Sequence, residues 1–175
     1  MRSIFTSLFF VASIFAWSQA GGWNPELETD AEAALSEMIE ANPKLLKFKD
    51  KAYGYAVFPK VTKAGLGIGG AAGRGMVYEQ DEIVGTAKLK QASIGLQAGG
   101  QQYMEVIFFE HEEALDHFKN NKLKFGAQAS AVALDDGASL DAAYVDGVAV
   151  FTKTLGGLMV EASVGGQHFK FKEID

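Results

Sequence analysis

The first candidate for a functional motif in this chain is a set of closely spaced glycines. Gly65, Gly67 and Gly70 satisfy the G-x-G-x-x-G pattern, which in dinucleotide-binding folds leads into a helix whose N-terminus meets a pyrophosphate. Here the chain continues as Ala-Ala-Gly-Arg-Gly and then as the β-prone segment Met76–Tyr78, so no helix is predicted to begin there. We interpret the glycines as structural, because a strand face without side chains lets another backbone come close. A ligand groove lined by backbone is the alternative. The glycines assigned to this motif are Gly65, Gly67, Gly69, Gly70, Gly73 and Gly75.

Histidines and acids are the second candidate, since they are common metal ligands. His111 and His117 lie six residues apart, so they point to different faces of a helix and do not form the H-E-x-x-H zinc motif. The acid-rich stretch 135–146 has no calcium-loop spacing and is typical of a solvated turn. The chain has no cysteine and no Gly-x-Ser-x-Gly element. The sequence therefore predicts no metal, no cofactor and no catalytic residues.

Helices are predicted at two places. Residues 25–50 carry an apolar stripe at helical spacing, interrupted at Asn42–Pro43, which indicates a core-facing helix and a short second one. The stripe of the first helix consists of Leu27, Ala31, Ala34, Leu35, Met38 and Ile39. A single later helix is predicted over Glu110–Asn121, because acids lead it and Lys119 closes it, as the helix dipole favours.

Strand signals dominate the rest of the chain. We expect a strand over Tyr53–Phe58 that Pro59 ends, a turn at Gly99–Gly100, and an apolar strand over Tyr103–Phe109 with both faces covered. The predicted fold is α+β. It combines N-terminal helices (25–50) with a β-rich core (53–172) made of a glycine-rich, mostly antiparallel sheet, for which barrel-like closure is left open.

The first 20 residues are predicted to be a secretory signal peptide. Arg2 precedes an apolar run of 14 residues, and Ser18-Gln19-Ala20 places small residues at the cleavage positions. Residues 21–175 are then predicted to form a single domain. An exported chain without disulfides most resembles a bacterial periplasmic protein, so we expect a periplasmic or envelope-associated location.

Net charge argues against nucleic acid as a partner. The whole chain has a formal charge of −6, and without residues 1–20 it keeps 15 basic against 22 acidic side chains. The charge is uneven, however, because residues 42–63 hold six lysines and one acid. A local basic patch can meet anionic headgroups even when the total charge is negative.

Several motifs together resemble the SYLF family of lipid-binding domains, whose yeast members also bind actin. They are Tyr53–Pro59, the glycine stretch Lys63–Gly75, Ala92–Gln97 with Gly99-Gly100-Gln101, and Phe108-Phe109 before a helix ending in Phe118. The resemblance covers roughly Ala31 to Lys172. It implies a β-rich core with surrounding helices, and phospholipid binding without catalysis. Actin and phosphoinositides are not expected partners in a bacterial envelope.

The resemblance also implies candidate residues for headgroup contact. Lys60, Lys63 and Arg74 lie within the matched motif, and Lys88 and Lys90 follow it. The function it implies is a non-catalytic module of the envelope that binds phospholipid headgroups or a membrane surface. The alternative is a structural or protein-interaction module of the periplasm without lipid specificity, and an unrecognised enzyme is the third hypothesis.

Overall fold

The computed structural model describes residues 25–122, 132–133 and 144–174. Its helices are α1 (Pro25–Ala41), α2 (Leu45–Lys49) and α3 (Glu112–Lys119), and its strands are β1 (Gly54–Glu79), β2 (Glu82–Phe109), β3 (Val132–Ala133) and β4 (Val148–Glu173). The predicted signal peptide and most of the acid-rich stretch lie outside the described residues.

The α+β class is confirmed, and the sheet is mostly antiparallel. Its strands lie in the order β1-β2-β4-β3, with long β2 paired antiparallel to β1 on one side and to β4 on the other. Short β3 runs parallel to β4. No ladder joins β1 to β4 within the described ranges, so the sheet is not a closed barrel.

The long strands bend double. A flat strand of the length of β1, 26 residues, would extend roughly 85 Å, yet the backbone N–H of Gln80 donates to the Tyr53 carbonyl at 3.0 Å. The sheet therefore forms two halves that face each other. We call residues 54–61, 103–109 and 148–154 the first layer, and residues 71–79, 82–93 and 166–173 the second layer.

One core fills the space between the two layers. Phe58 of the first layer and Phe169 of the second have ring centroids 5.7 Å apart. Helix α3 closes this space with Phe118, whose ring lies 5.1 Å from that of Phe169 and 5.0 Å from that of Phe109. A helix in the second half of the chain, as predicted, thus completes the core of the folded sheet.

A second core lies under α1 and α2. The predicted stripe of α1 is buried from Leu27 to Met38, whereas its acidic residues are exposed, apart from the half-buried Glu28. The stripe covers Tyr55 and Tyr78, whose rings stack at 4.7 Å although they lie at opposite ends of β1. The apolar stripe of α1 therefore covers the place where the two ends of β1 meet.

Two predicted breaks in the sheet are wrong. Pro59 does not end the first strand, because it lies in an irregularity of the β1–β2 ladder between Phe58 and Val61, where no ladder N–H is required. The Gly99–Gly100 pair does not form a turn, since β2 continues through it to Phe109. The turn between β1 and β2 is instead Gln80–Asp81, with both residues at positive φ.

The motif glycines have different surroundings. A Cβ on Gly73 would lie 3.1 Å from the Lys60 carbonyl oxygen, and one on Gly75 would lie 2.5 Å from that of Val57. These two therefore permit the close approach of the halves of β1 that the spacing predicts. Gly67 differs, because its φ of +72° lies at an interruption of the ladder and not in a regular strand face.

Candidate functional site

Four of the five predicted cations line one groove. Lys60, Arg74, Lys88 and Lys90 are all exposed and surround an open groove of about 620 Å³ beside α1. The acidic side chain that lines the described part of this groove is Asp30. Lys63, the fifth predicted cation, lies instead at a separate polar cavity beside the bend of the sheet.

The register of the sheet places further cations next to these. Arg74 is directly opposite Lys88, and Lys88 is directly opposite Lys170 on β4. Directly opposite residues share a face, so the outer side of the second layer carries one connected group of exposed bases. We call it the basic face; it consists of Arg74, Lys88, Lys90, His168, Lys170 and Lys172.

Sequence reasoning missed the β4 members of the basic face. The signal was present as the alternation Phe169-Lys170-Phe171-Lys172, which repeats the alternation around Lys88 and Lys90 on β2. Which strands are neighbours was not visible, and only the pairing of β2 with β4 brings the two alternations together.

The cations of the basic face lie near one another, and the described acid that shares their groove is Asp30. No carboxylate of the described ranges lies within ion-pair distance of them, although Lys49 pairs with Asp81 at 2.7 Å and Lys153 pairs with Glu37 at 2.6 Å elsewhere. Like charges directly opposite on neighbouring strands destabilise a sheet. An anionic partner would remove this repulsion.

The basic face ends in exposed apolar side chains. Ile68 and Ile94 are directly opposite each other, and their alternation along β1 and β2 puts them on the same face as Arg74 and Lys90. They are 73% and 70% exposed, and Leu66 nearby is 84% exposed. We call Leu66, Ile68 and Ile94 the apolar end; about 20 Å of strand separates Ile94 from Lys88.

The polar cavity beside Lys63 holds a buried carboxyl group that the sequence analysis did not select. Glu105 is fully buried, and its Oε2 accepts a hydrogen bond from Gln167 Nε2 at 2.8 Å. Burial raises the pKa of Glu105 to about 7. A lone acid within the apolar run Tyr103–Phe109 was the available signal.

Two of the three histidines have a defined place in the fold. His111 caps α3, where its Nδ1 accepts from the Ala114 N–H at 3.2 Å, and His168 lies on the basic face. Among residues 25–122, 132–133 and 144–174, no three histidine or carboxylate side chains gather where they could hold a metal ion. The helices found there are also too short or too polar to cross a membrane.

Comparison with known proteins agrees with the resemblance in the sequence. A family model described as "Ysc84: Las17-binding protein actin regulator" matches residues 90–173, which include most of β2, α3 and β4. Beta cell expansion factor A from Aeromonas veronii is 29% identical over 144 residues. That alignment covers 82% of this chain and 55% of the relative, so the chain spans about half of the relative's length.

Proposed function

We propose that this protein is a non-catalytic binding module of the Ysc84 (SYLF) kind, as the match over residues 90–173 supports, and that it binds anionic phospholipid headgroups through its basic face. The observation that carries the proposal is the set of cations across three neighbouring strands that have no ion-pair partner among the described residues. We further propose that the membrane belongs to the bacterial envelope, to which the predicted signal peptide would direct the chain.

Electrostatic attraction between the basic face and an anionic membrane can support reversible binding. A Lys or Arg near an anionic membrane surface contributes roughly 1 kcal/mol, and the basic face offers one arginine and four lysines. The attraction acts within about 8–10 Å at physiological ionic strength, so the negative total charge of the chain matters less than the local arrangement.

The apolar end supports a membrane partner over a soluble anion. Exposed isoleucines on the same face as the cations can enter the boundary between headgroups and acyl chains while the lysines stay at the phosphates. Apolar surface removed from water contributes about 25 cal/mol per Å². A soluble phosphate or an acidic peptide would give Ile68 and Ile94 no comparable environment.

A charge-reversal variant tests this proposal. Lys88→Glu/Lys90→Glu/Lys170→Glu is expected to weaken binding to vesicles of phosphatidylglycerol and phosphatidylcholine by at least about 100-fold, since each lost cation removes roughly 1 kcal/mol. Co-sedimentation measures this. Binding of the unaltered protein is also expected to weaken as salt rises from about 50 to 150 mM, because exposed charges are screened.

The matched control is Lys44→Glu/Lys47→Glu/Lys51→Glu, which changes the net charge equally on exposed lysines of the α2 region. It is expected to bind almost as tightly as the unaltered protein. Equal loss in the two variants would mean that only net charge matters, which contradicts a defined face. If the unaltered protein ignored anionic vesicles at both salt concentrations, the alternative of a protein-interaction module would be favoured.

A further inference from the structure

The polar cavity lies beside the bend of the sheet, between its two layers. Its volume is about 300 Å³, an order of magnitude more than one water molecule occupies. Its uncharged lining includes five side chains with groups that both donate and accept hydrogen bonds. These are the amides of Gln91, Gln101 and Gln167 and the hydroxyls of Thr152 and Thr154. The groove of the basic face has a different lining, and so the two are separate sites.

Glu105 is the group that gives this cavity a specific chemistry. Its side chain is wholly buried, and the bond from Gln167 to its Oε2 connects the two layers. Its Oε1 has no hydrogen-bond partner within the described part of the chain. A buried carboxyl oxygen without a partner is strongly unfavourable. Oε1 is also shielded from water, so a ligand in the cavity would remove this penalty once the Glu105 side chain turns to present Oε1 to it.

We propose that the cavity binds the ammonium group of a small zwitterionic ligand of the phosphoethanolamine class, with Glu105 against the ammonium and Lys63 near the phosphate. An ammonium has three N–H donors and a positive charge, so it matches a carboxylate surrounded by hydroxyl and amide oxygens. A neutral polyol would leave the buried charge uncompensated. A divalent cation would need more carboxylate ligands than the single one present in the described lining.

This site deepens the proposed function and rests on it where the ligand is part of a lipid. Phosphoethanolamine is the headgroup of an abundant class of zwitterionic phospholipid, and the cavity lies beside the bend of the sheet. The same chemistry also occurs in the free molecule. The experiment must therefore distinguish a headgroup within a membrane from soluble phosphoethanolamine.

Proton release gives the proposal a distinctive signature. Among the described residues, the titratable groups that line the cavity with Glu105 are Lys63 on β1 and Tyr103 on β2, and the described lining from β4 is uncharged. Because the pKa of Glu105 is raised to about 7, much of the carboxyl group is protonated at neutral pH. An ammonium requires the carboxylate form, so its binding should become tighter as pH rises through 7 and then level off.

Isothermal titration calorimetry with soluble phosphoethanolamine tests the site. Binding is expected to be about 10-fold tighter at pH 8 than at pH 6, with proton release that shows as a dependence on the buffer's ionisation enthalpy. Glycerol 3-phosphate, a matched anion without the ammonium, is expected not to bind. Glu105→Gln, checked for its fold by circular dichroism, should weaken binding at least 10-fold and abolish the pH dependence.

A second pair of measurements separates the sources of the ligand and the two proposals. If soluble phosphoethanolamine does not bind but vesicles with phosphatidylethanolamine retain the unaltered protein better than Glu105→Gln, the ligand is the lipid headgroup. The Lys88→Glu/Lys90→Glu/Lys170→Glu variant should still bind soluble phosphoethanolamine, because it leaves the cavity unchanged. Equal binding of glycerol 3-phosphate, or equal behaviour of the protein and Glu105→Gln in every assay, would overturn the proposal.

Discussion

Replacement of Glu105 by glutamine is expected to raise the free energy of unfolding by up to about 3 kcal/mol at pH 8 and to change it little at pH 4.5. The carboxyl group is fully buried, and burial raises its pKa from 4.5 to about 7. At pH 8 the protein must therefore keep an ionised carboxylate in its interior. Glutamine has nearly the same shape and can still accept the hydrogen bond from Gln167.

The sign of this pH dependence follows from proton binding. Between pH 4.5 and 7 the folded state holds the Glu105 proton and the unfolded state does not, so this group's contribution to stability falls as pH rises and is lost above 7. Urea denaturation of the protein and of Glu105→Gln at pH values from about 4.5 to 8 isolates the contribution as a difference. If the unfolding free energies of the two proteins changed in parallel with pH, the carboxyl group of Glu105 would not have a pKa raised by burial.

Replacement of Gly75 by alanine is expected to destabilise the fold by about 3 kcal/mol. A Cβ there would lie 2.5 Å from the Val57 carbonyl oxygen and 2.8 Å from Phe58 Cδ1. The oxygen is main chain and the Phe58 ring is fully buried, so neither can move without opening the contact between the two halves of β1. Chemical denaturation should show a lower midpoint with little change in slope.

Gly100→Ala is the matched control for Gly75→Ala. The added methyl group would meet the Lys63 carbonyl oxygen at 3.7 Å, an ordinary van der Waals contact, and Gly100 is exposed. Its effect on stability is expected to stay within about 0.5 kcal/mol. Comparable destabilisation by both substitutions would mean that glycine content in general, and not the close approach at Gly75, determines stability.

Much of the fold was predictable, because its main elements have strong local patterns. Five of the six stripe residues of α1 are found buried, as their periodicity predicts, and the segment Tyr103–Phe109 is buried, as its apolar run predicts. The continuity of the long strands was not predictable, because Pro59 and the Gly99–Gly100 pair are ordinary strand breakers. Pro59 is tolerated at an irregularity of the ladder, and the glycine pair is tolerated within a long paired strand. Both positions depend on which strands pair and in which register.

Individual residues of the candidate site could be predicted from the sequence, but their arrangement could not. Lys88 and Lys90 could be selected from the chain, but their relation to Lys170 depends on which strands are neighbours and in which register. Glu105 escaped notice for another reason. Its strand was expected to be covered on both faces, but only the folding of one layer over the other shows that this acid lies beside a polar cavity.

Labelling with a single fluorophore tests most directly whether the basic face meets a membrane. The chain has no cysteine, so Ile94→Cys and Ser36→Cys each provide one attachment site, the first at the apolar end and the second on the exposed side of α1. Anionic vesicles are expected to shift the emission of an environment-sensitive dye at position 94 to the blue and to leave the dye at position 36 unchanged. Equal shifts at both positions, or none at position 94 while the protein co-sediments, would contradict this orientation.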